Sequence, residues 1–271
     1  MKISLITACY NSAGTIRTAV ESVLSQKGVD IEYIVVDGGS KDGTVEVVEE
    51  LSRKERKEGF EFKWISERDR GMYDAINKGI KMATGDVVGI LNADDVLASD
   101  ETLAHIVSAF NTDSCALTPD PSRVDAVYAD IRFVREGETV EAVRKAETVR
   151  YCSAKRWRPW MFRFAAMVPH PSFYVRRECF ARLGGYSLDY RICADFELEL
   201  RYLYIAKLKA AYLPECVVVM RMGGMSTSGW RSNLVINRED LRALRSHGIW
   251  SCMPLIYLKY LFKIWGFVFR G

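Results

Sequence analysis

The sequence predicts an α/β protein built on a mostly parallel sheet, and three observations predict it. Apolar runs recur at Ile3–Ala8, Ile31–Val36 and Val87–Leu91, with an alternating run through Phe60, Phe62 and Trp64. Between them, apolar residues repeat at helical spacing over stretches long enough for crossover connections. Several runs end on polar residues, as strands do where an open α/β sheet binds its ligands.

Taken in order, Ile3–Ala8 is a buried first strand ending in Cys9-Tyr10-Asn11-Ser12. Ile16, Ala19, Val20, Val23 and Leu24 mark a helix that Gly28 stops. Ile31–Val36 is a second strand, with Asp37 at its end and Gly38-Gly39-Ser40-Lys41-Asp42-Gly43-Thr44 after it. Asp-Gly-Gly-Ser is good turn chemistry as well as a candidate ligand loop. Val45, Val48 and Leu51 start a second helix that runs into a solvated charged stretch, Arg53–Glu58. Phe60, Phe62 and Trp64 alternate with polar residues, so the third strand is expected to bury one face. Met72, Ala75, Ile76, Gly79, Ile80 and Ala83 form a third helix leading to the strand Val87–Leu91.

That last strand runs into Asn92-Ala93-Asp94-Asp95. Like charges this close repel unless a cation or a donor lies between them. Ser99-Asp100-Glu101 already supplies a helix cap downstream, which leaves Asp94 and Asp95 unexplained. A hard divalent cation, Mn²⁺ or Mg²⁺, completed by diphosphate oxygens would explain them.

In the second half, Asp125–Asp130 is a strand, and Ile131–Val134 with Thr139–Val143 around Glu136-Gly137-Glu138 predicts a hairpin. The stretch Arg144–Arg163 is rich in Arg, Trp, Tyr and Phe. It reads equally as a surface helix with snorkelling arginines or as an acceptor or lipid-phosphate groove. Pro169-His170-Pro171 enters a strand, and a His there is either structural or a metal or phosphate ligand. Phe196, Leu200, Leu203 and Tyr204 give the apolar face of a helix whose first turn holds Asp195. Val217–Met222 is a strand, and Gly223–Gly229 is a loop suited to closing over a bound ligand.

The chain has 271 residues, 49% of them hydrophobic, enough for a full core. A net charge of +3 with scattered Lys and Arg argues against a nucleic-acid binder. Seven cysteines without CxxC pairs point to reduced thiols and a cytoplasmic protein, with no zinc site. Met1-Lys2-Ile3 enters a strand with no signal-peptide layout. At the other end, residues 249–269 are apolar and aromatic but interrupted by Pro254, Lys259 and Lys263, so no uncharged run reaches the roughly 18 residues of a spanning helix. A helix lying in the membrane interface is the reading preferred over one docked on the core. The expected division is residues 1–247 as one catalytic domain (about 1–110 and 111–247 as its halves) and 248–271 as the tail.

Four motifs now stand in order: Ile6-Thr7-Ala8-Cys9-Tyr10-Asn11, Val35-Val36-Asp37 through Thr44, Ser66 through Ile80, and Leu91-Asn92-Ala93-Asp94-Asp95. Together they resemble the inverting nucleotide-sugar glycosyltransferases of family 2, with the GT-A fold: a Rossmann-like nucleotide-binding sheet fused to an acceptor-binding half. The third motif resembles a subgroup of colanic-acid, exopolysaccharide and O-antigen transferases. The resemblance implies that Thr7, Ala8 and Tyr10 line the base pocket and that Asp37 hydrogen-bonds the base, usually uracil. It implies that Asp69 and Asn77 flank the nucleotide and that Asn92-Ala93-Asp94 stands for the family's Asp-x-Asp. Asp94 then binds the metal, Asn92 contacts ribose without a charge, and Asp95 assists from behind. Asp195 matches the catalytic base, Glu197 is its fallback, and His170 is placed at the site as a second metal ligand. The implied reaction is metal-dependent transfer from a nucleoside-diphosphate sugar, UDP-linked by preference, to a glycan or to a lipid-linked saccharide acceptor such as one carried on a polyprenyl diphosphate. This would take place at the inner face of the plasma membrane. A sugar nucleotidyltransferase lacks its Gly-rich loop here, and a non-catalytic nucleotide-sugar-binding protein would need no base.

Overall fold

The computed structural model describes residues 1–111, 123–222 and 229–260 (for 229–232 the backbone only). Four strands, β1 (Lys2–Cys9), β2 (Asp30–Asp37), β3 (Phe60–Ser66) and β4 (Val87–Ile90), alternate with α1 (Ile16–Leu24), α2 (Thr44–Ser52) and α3 (Met72–Met82). They pair in parallel in the order β3-β2-β1-β4. Both faces of the sheet are covered, so alternate residues of one strand enter different cores. Ile6, Ile34, Val36, Val88 and Ile90 pack with α3 on one face, while Leu5, Tyr33, Val35 and Val87 pack with α1 on the other. Close approach is needed in two places. A Cβ on Gly79 would lie 2.5 Å from Ile6 Cγ2, and one on Gly89 would lie 2.2 Å from the Tyr174 ring.

At the amino edge of the sheet, buried Glu32 accepts from the Ser4 hydroxyl, from Lys63 Nζ at 2.6 Å and from Thr84 N at 2.7 Å. Burial alone would raise its pKa, but these donors outweigh it and hold the carboxyl down at about 2. Strand β3 lies at the sheet edge, and its expected inward face of Phe60, Phe62 and Trp64 packs on the core while keeping some exposure.

Beyond β4 the sheet is mixed, with antiparallel pairs on either side of one long parallel pair. The remaining strands are β5 (Val96–Leu97), β6 (Ala126–Val134), β7 (Arg150–Cys152), β8 (Tyr174–Arg176) and β9 (Ala210–Arg221), and the order continues β4-β8-β6-β9-β5 with β7 on β6. The helices are α4 (Thr102–Asn111), α5 (Val140–Lys145), α6 (Arg177–Leu183), α7 (Ala194–Glu199), α8 (Gly229–Ser246) and α9 (Met253–Tyr257), and α7 continues as a π-helix over Leu200–Ile205.

Two expectations are corrected here. The hairpin across residues 131–143 is not formed, because Thr139 caps α5 by accepting from Ala142 N, and the strand that returns onto β6 is β7. The Arg144–Arg163 stretch is not a surface helix but β7 plus a short 3-10 helix, Pro159–Phe164. Its Trp157 and Phe162 are buried in the core, while Arg156, Arg158, Trp160 and Arg163 remain exposed.

The first part of the tail is docked. Ile256 is fully buried, the Ser251 hydroxyl donates to the Arg163 carbonyl, and Lys259 forms a buried 2.7 Å ion pair with Asp240 of α8. Lys259 therefore does not face a membrane. Residues 261–271 lie outside the described residues, as does most of the predicted closing loop, 223–228. No helix among the described residues is long and apolar enough to cross a membrane.

Candidate active site

The register of the parallel strands places their carboxyl ends side by side. Cys9 pairs with Asp37, Asp37 with Ser66, and the Leu91 amide donates to the Ile6 carbonyl. The loops after β1 and β2 are laced together above this edge. Asn11, at φ 50°, accepts from Lys41 N through its side chain and donates from its own amide to the Ser40 hydroxyl, while Ala13 N donates to Asp42. Tyr10 projects from this lacing with 63% of its surface exposed. A Cβ on Gly38 would meet Asp69 Oδ2 at 2.5 Å and the Tyr10 ring at 3.4 Å, so Tyr10, Gly38 and Asp69 converge on one small surface.

Three residues expected to touch the nucleotide are already engaged by the chain. Thr7 is fully buried with its hydroxyl 2.9 Å from that of Tyr33, so it faces the core and not the cleft, and that expectation is corrected. Asp37 accepts from Gly39 N and Ser40 N at 3.0 Å and from the Ser66 and Ser40 hydroxyls. Burial opposes its charge, but these donors prevail and keep its pKa below the ordinary value, so Asp37 organises the loop. Asn77 donates to the Tyr186 carbonyl at 2.8 Å and accepts from the Tyr186 amide at 2.9 Å. Its amide is thereby engaged at both ends by Tyr186 of the second half. Ala8 remains half-buried at the strand end.

After β4 the chain turns through Asn92–Asp95, with Asp95 N donating to the Asn92 carbonyl. Asn92 Nδ2 donates to Asp95 Oδ2 at 2.7 Å, so the residue expected to reach ribose instead holds its neighbouring carboxylate. Asp95 is fully buried, its Oδ1 has no partner among the described residues, and burial followed by repulsion from Asp94 pushes its pKa well up. Asp94 is only half-buried, and no described side chain donates to its carboxylate. Burial raises its pKa too, against the pull of the Arg221 charge. Arg221, at the end of β9, donates to the carbonyls of Asp94 (2.6 Å) and Gly137 (2.9 Å) and to the Thr18 hydroxyl (2.8 Å).

These features fit a cation held by one carboxylate and completed by a ligand's phosphates. Asp94 is the accessible anion, and Asp95 is the orphaned one behind it. No three His, Cys, Asp or Glu side chains among the described residues come together as a self-sufficient metal cluster.

Across the cleft, Asp195 stands in the first turn of α7. Its Oδ1 accepts from Phe196 N at 2.8 Å and from the Tyr73 hydroxyl at 3.1 Å, while no described group donates to Oδ2. Tyr73 belongs to the first turn of α3, which begins at the carboxyl edge, so Asp195 is brought to that edge as well. Glu239 of α8 accepts the amides of Arg191, Ile192 and Cys193 and fixes the approach to α7. Nearby Glu199 is wholly buried. Among the described residues it accepts only from Val168 N at 3.1 Å, and burial, with Asp195 beside it, pushes its pKa far up. Glu199 is thereby held toward its neutral form behind Asp195.

The two remaining expectations change. Glu197 is not a reserve base: it accepts from Arg201 Nε and Nη2 and from His247 Nε2, all at 2.9 Å. Burial would raise its pKa, but Arg201 and His247 together hold it below 4.5. His170, expected as a metal ligand, shares Nε2 with the Tyr186 hydroxyl at 2.7 Å, and burial holds its pKa down against the pull of Asp195. Asp195 is the charge that acts on it. Sequence reasoning missed Tyr73, Tyr186, Glu199, Arg221 and Glu239. Only Tyr73 lay inside a motif already singled out.

A family model described as glycosyl transferase family 2 matches residues 4–176. The chain belongs to glycosyl transferase family 2. It is a glycosyltransferase enzyme, in keeping with its relatives. A PGL/p-HBAD biosynthesis glycosyltransferase of Mycobacterium bovis (strain BCG / Pasteur 1173P2) is 28% identical over 241 residues, 89% of this chain and 83% of that one. An uncharacterized glycosyltransferase of Mycobacterium tuberculosis (strain CDC 1551 / Oshkosh) is 32% identical over 200 residues, 73% of this chain and 68% of that one.

Among solved structures, Staphylococcus aureus TarS 1-349 in complex with UDP-GlcNAc matches with a TM-score of 0.62 at 18% identity, over 90% of this chain and 66% of that one. The mannosyltransferase PcManGT from Pyrobaculum calidifontis, in complex with GDP-Man and Mn²⁺, matches with a TM-score of 0.62 at 21% identity, over 98% and 72%. These likenesses show the GT-A-type fold. The chain spans 65% of the TarS 1-349 chain and 40% of the longer TarS chain.

The Glu197 cluster predicts an acid-side stability effect. A carboxyl whose folded pKa lies below its unfolded value of about 4.5 stabilises the protein above that pH, and this is lost as pH falls through the folded pKa. Glu197→Gln should be less stable than wild type at pH 7, by about 3–5 kcal/mol if the buried pair is simply broken, and the gap should narrow below pH 4.5. Urea melts at both pH values measure this, and a gap independent of pH would contradict the pairing.

Proposed function

We propose that the enzyme moves a sugar from a nucleoside-diphosphate donor, UDP-linked in the first instance, onto a saccharide hydroxyl with inversion. What carries the proposal is the placement of two unlike carboxylates at one sheet edge. Asp94 is accessible without a described hydrogen-bond donor, and Asp195 has one oxygen engaged and the other open. The donor class is supported by what the fold neighbours bind, UDP-GlcNAc in one and GDP-Man with Mn²⁺ in the other.

The base rests against exposed Tyr10 and half-buried Asp69 at Gly38. Asp94 would hold Mn²⁺ or Mg²⁺ through the donor's diphosphate, with Asp95 and Arg221 setting the charge behind it. Such a cation supplies neutralisation of the charge gathered on the departing diphosphate. Asp195 Oδ2 accepts the proton of the acceptor hydroxyl as that oxygen bonds to the anomeric carbon. The bond from that carbon to the diphosphate oxygen breaks, and the diphosphate leaves with the electron pair. One carboxylate suffices for this single displacement, so Glu197 is free to be structural.

Asp195→Asn should cut turnover by 10²–10⁴-fold, the usual contribution of a general base, while donor binding by thermal shift stays intact. Retained turnover in this variant would remove Asp195 from the role.

The acceptor we propose is lipid-linked, in surface-polysaccharide assembly at a membrane face. A groove of about 740 Å³ between α8 and α9 is lined by Arg238, Arg242 and Arg245 with Leu234, Leu241 and Met253, the mixture that a lipid phosphate requires. Exposed Trp250, Tyr257 and Leu258 stand on the adjoining chain. The full chain should co-sediment with vesicles containing phosphatidylglycerol, and Arg238→Glu with Arg245→Glu should reduce this severalfold. Equal sedimentation of the double variant, or none of wild type, would count against the lipid surface.

A further inference from the structure

We propose that Tyr73 is a positioning residue for Asp195, holding one carboxylate oxygen so that the other is presented to the acceptor. This rests on the reading of Asp195 as the base. Tyr73 is a donor-half residue inside the motif Ser66–Ile80, yet its side chain reaches into the acceptor half. Its hydroxyl shares its one proton between two acceptors, the Ile192 carbonyl and Asp195 Oδ1, the latter at 3.1 Å. With Phe196 N also on Oδ1 at 2.8 Å, both described donors to this carboxylate converge on the same oxygen. A carboxylate held at one oxygen keeps its rotamer, and its second oxygen keeps a fixed direction.

Tyr73 is itself held firmly. Its ring is 5% exposed and stacks on that of Tyr186 at 5.5 Å with 17° between planes. The backbone of Tyr186 is clamped by both atoms of the Asn77 amide, and its hydroxyl meets His170. Positions 73 and 77 are one turn apart and share a face of α3. A Cβ on Gly185 would lie 2.3 Å from Asn77 Oδ1, so the clamp closes on a residue with no side chain. One helix of the nucleotide-binding half therefore carries both the donor to the base and the support for the ring that steadies that donor. The base is located by the half that binds the leaving group.

A hydrogen bond to the charged form favours it, so losing the phenol makes Asp195 harder to ionise. The titratable groups facing Asp195 are Tyr73 from α3, His170 and Tyr186 from outside the long helices, Cys193 before α7, Glu199 at the end of α7 and Asp240 from α8. Tyr73 donates the one side-chain hydrogen bond that a described residue makes to this carboxylate.

The test is Tyr73→Phe, which keeps the stacked ring, measured beside Asp195→Asn. The donor is whichever of the UDP-, GDP- and dTDP-sugars stabilises the protein most, and the readout is nucleoside-diphosphate release to water across pH. Tyr73→Phe should leave the donor-induced melting shift unchanged, lower kcat roughly tenfold or more and move the acid limb of kcat to higher pH. If Asp195→Asn is inactive but Tyr73→Phe keeps kcat, or loses it without moving the acid limb, the positioning role is overturned alone. If Asp195→Asn stays active, the base assignment falls and takes this proposal with it.

Discussion

Two adjacent carboxylates at the mouth of a strand buried on both faces cannot both stay charged without help. The structure gives that help unequally. Asp95 is fully buried with Asn92 on one oxygen and no described partner on the other, while Asp94 is half-buried with the Arg221 charge near it. The remaining architecture serves this pair. The parallel register brings β1, β2 and β3 to the same edge, and β9 crosses from the second half to deliver Arg221. With Asn in the first position of Asn92-Ala93-Asp94, the motif spends an amide on holding Asp95, and the ligand-facing charge rests on Asp94 alone.

The two halves are joined through a small number of polar contacts as well as through packing. Asn77 grips the Tyr186 backbone, Tyr73 reaches Asp195, and Glu239 gathers three amides ahead of α7. Lys259 and Asp240 then bind the docked part of the tail to the helix that carries Glu239. A buried ion pair of this kind adds little net stability but is costly to break, so it fixes the geometry of α8 more than it strengthens the fold.

Much of the first hundred residues was legible, because strands buried on both faces and helices at 3.6-residue spacing leave separate signatures. The strand ends, Asp94 and the first-turn position of Asp195 followed from that. The failures have physical causes. Thr139–Val143 is rich in β-branched residues and read as a strand, but the Thr139 hydroxyl caps a helix there. Thr7 is one residue out of phase with the cleft: β1 alternates faces, and position 7 falls on the side of Tyr33. Asn77 has the right residue type for a ligand contact, and only the fold reveals that Tyr186, far along the chain, takes both ends of its amide. Arg221, Glu199 and Glu239 act through partners distant in sequence, and no local pattern announces them.

The most direct test of the central claim is thermal stabilisation of the full chain by UDP, GDP, dTDP and CMP, each with and without Mn²⁺, in wild type and Asp94→Ala. A ligand at 100 times its dissociation constant adds about 2.7 kcal/mol, which a melting curve resolves. The predicted result is a Mn²⁺-dependent shift with one nucleoside diphosphate that disappears in Asp94→Ala. A shift that survives in the variant, or that ignores Mn²⁺, would contradict the placement of the donor's diphosphate at Asp94.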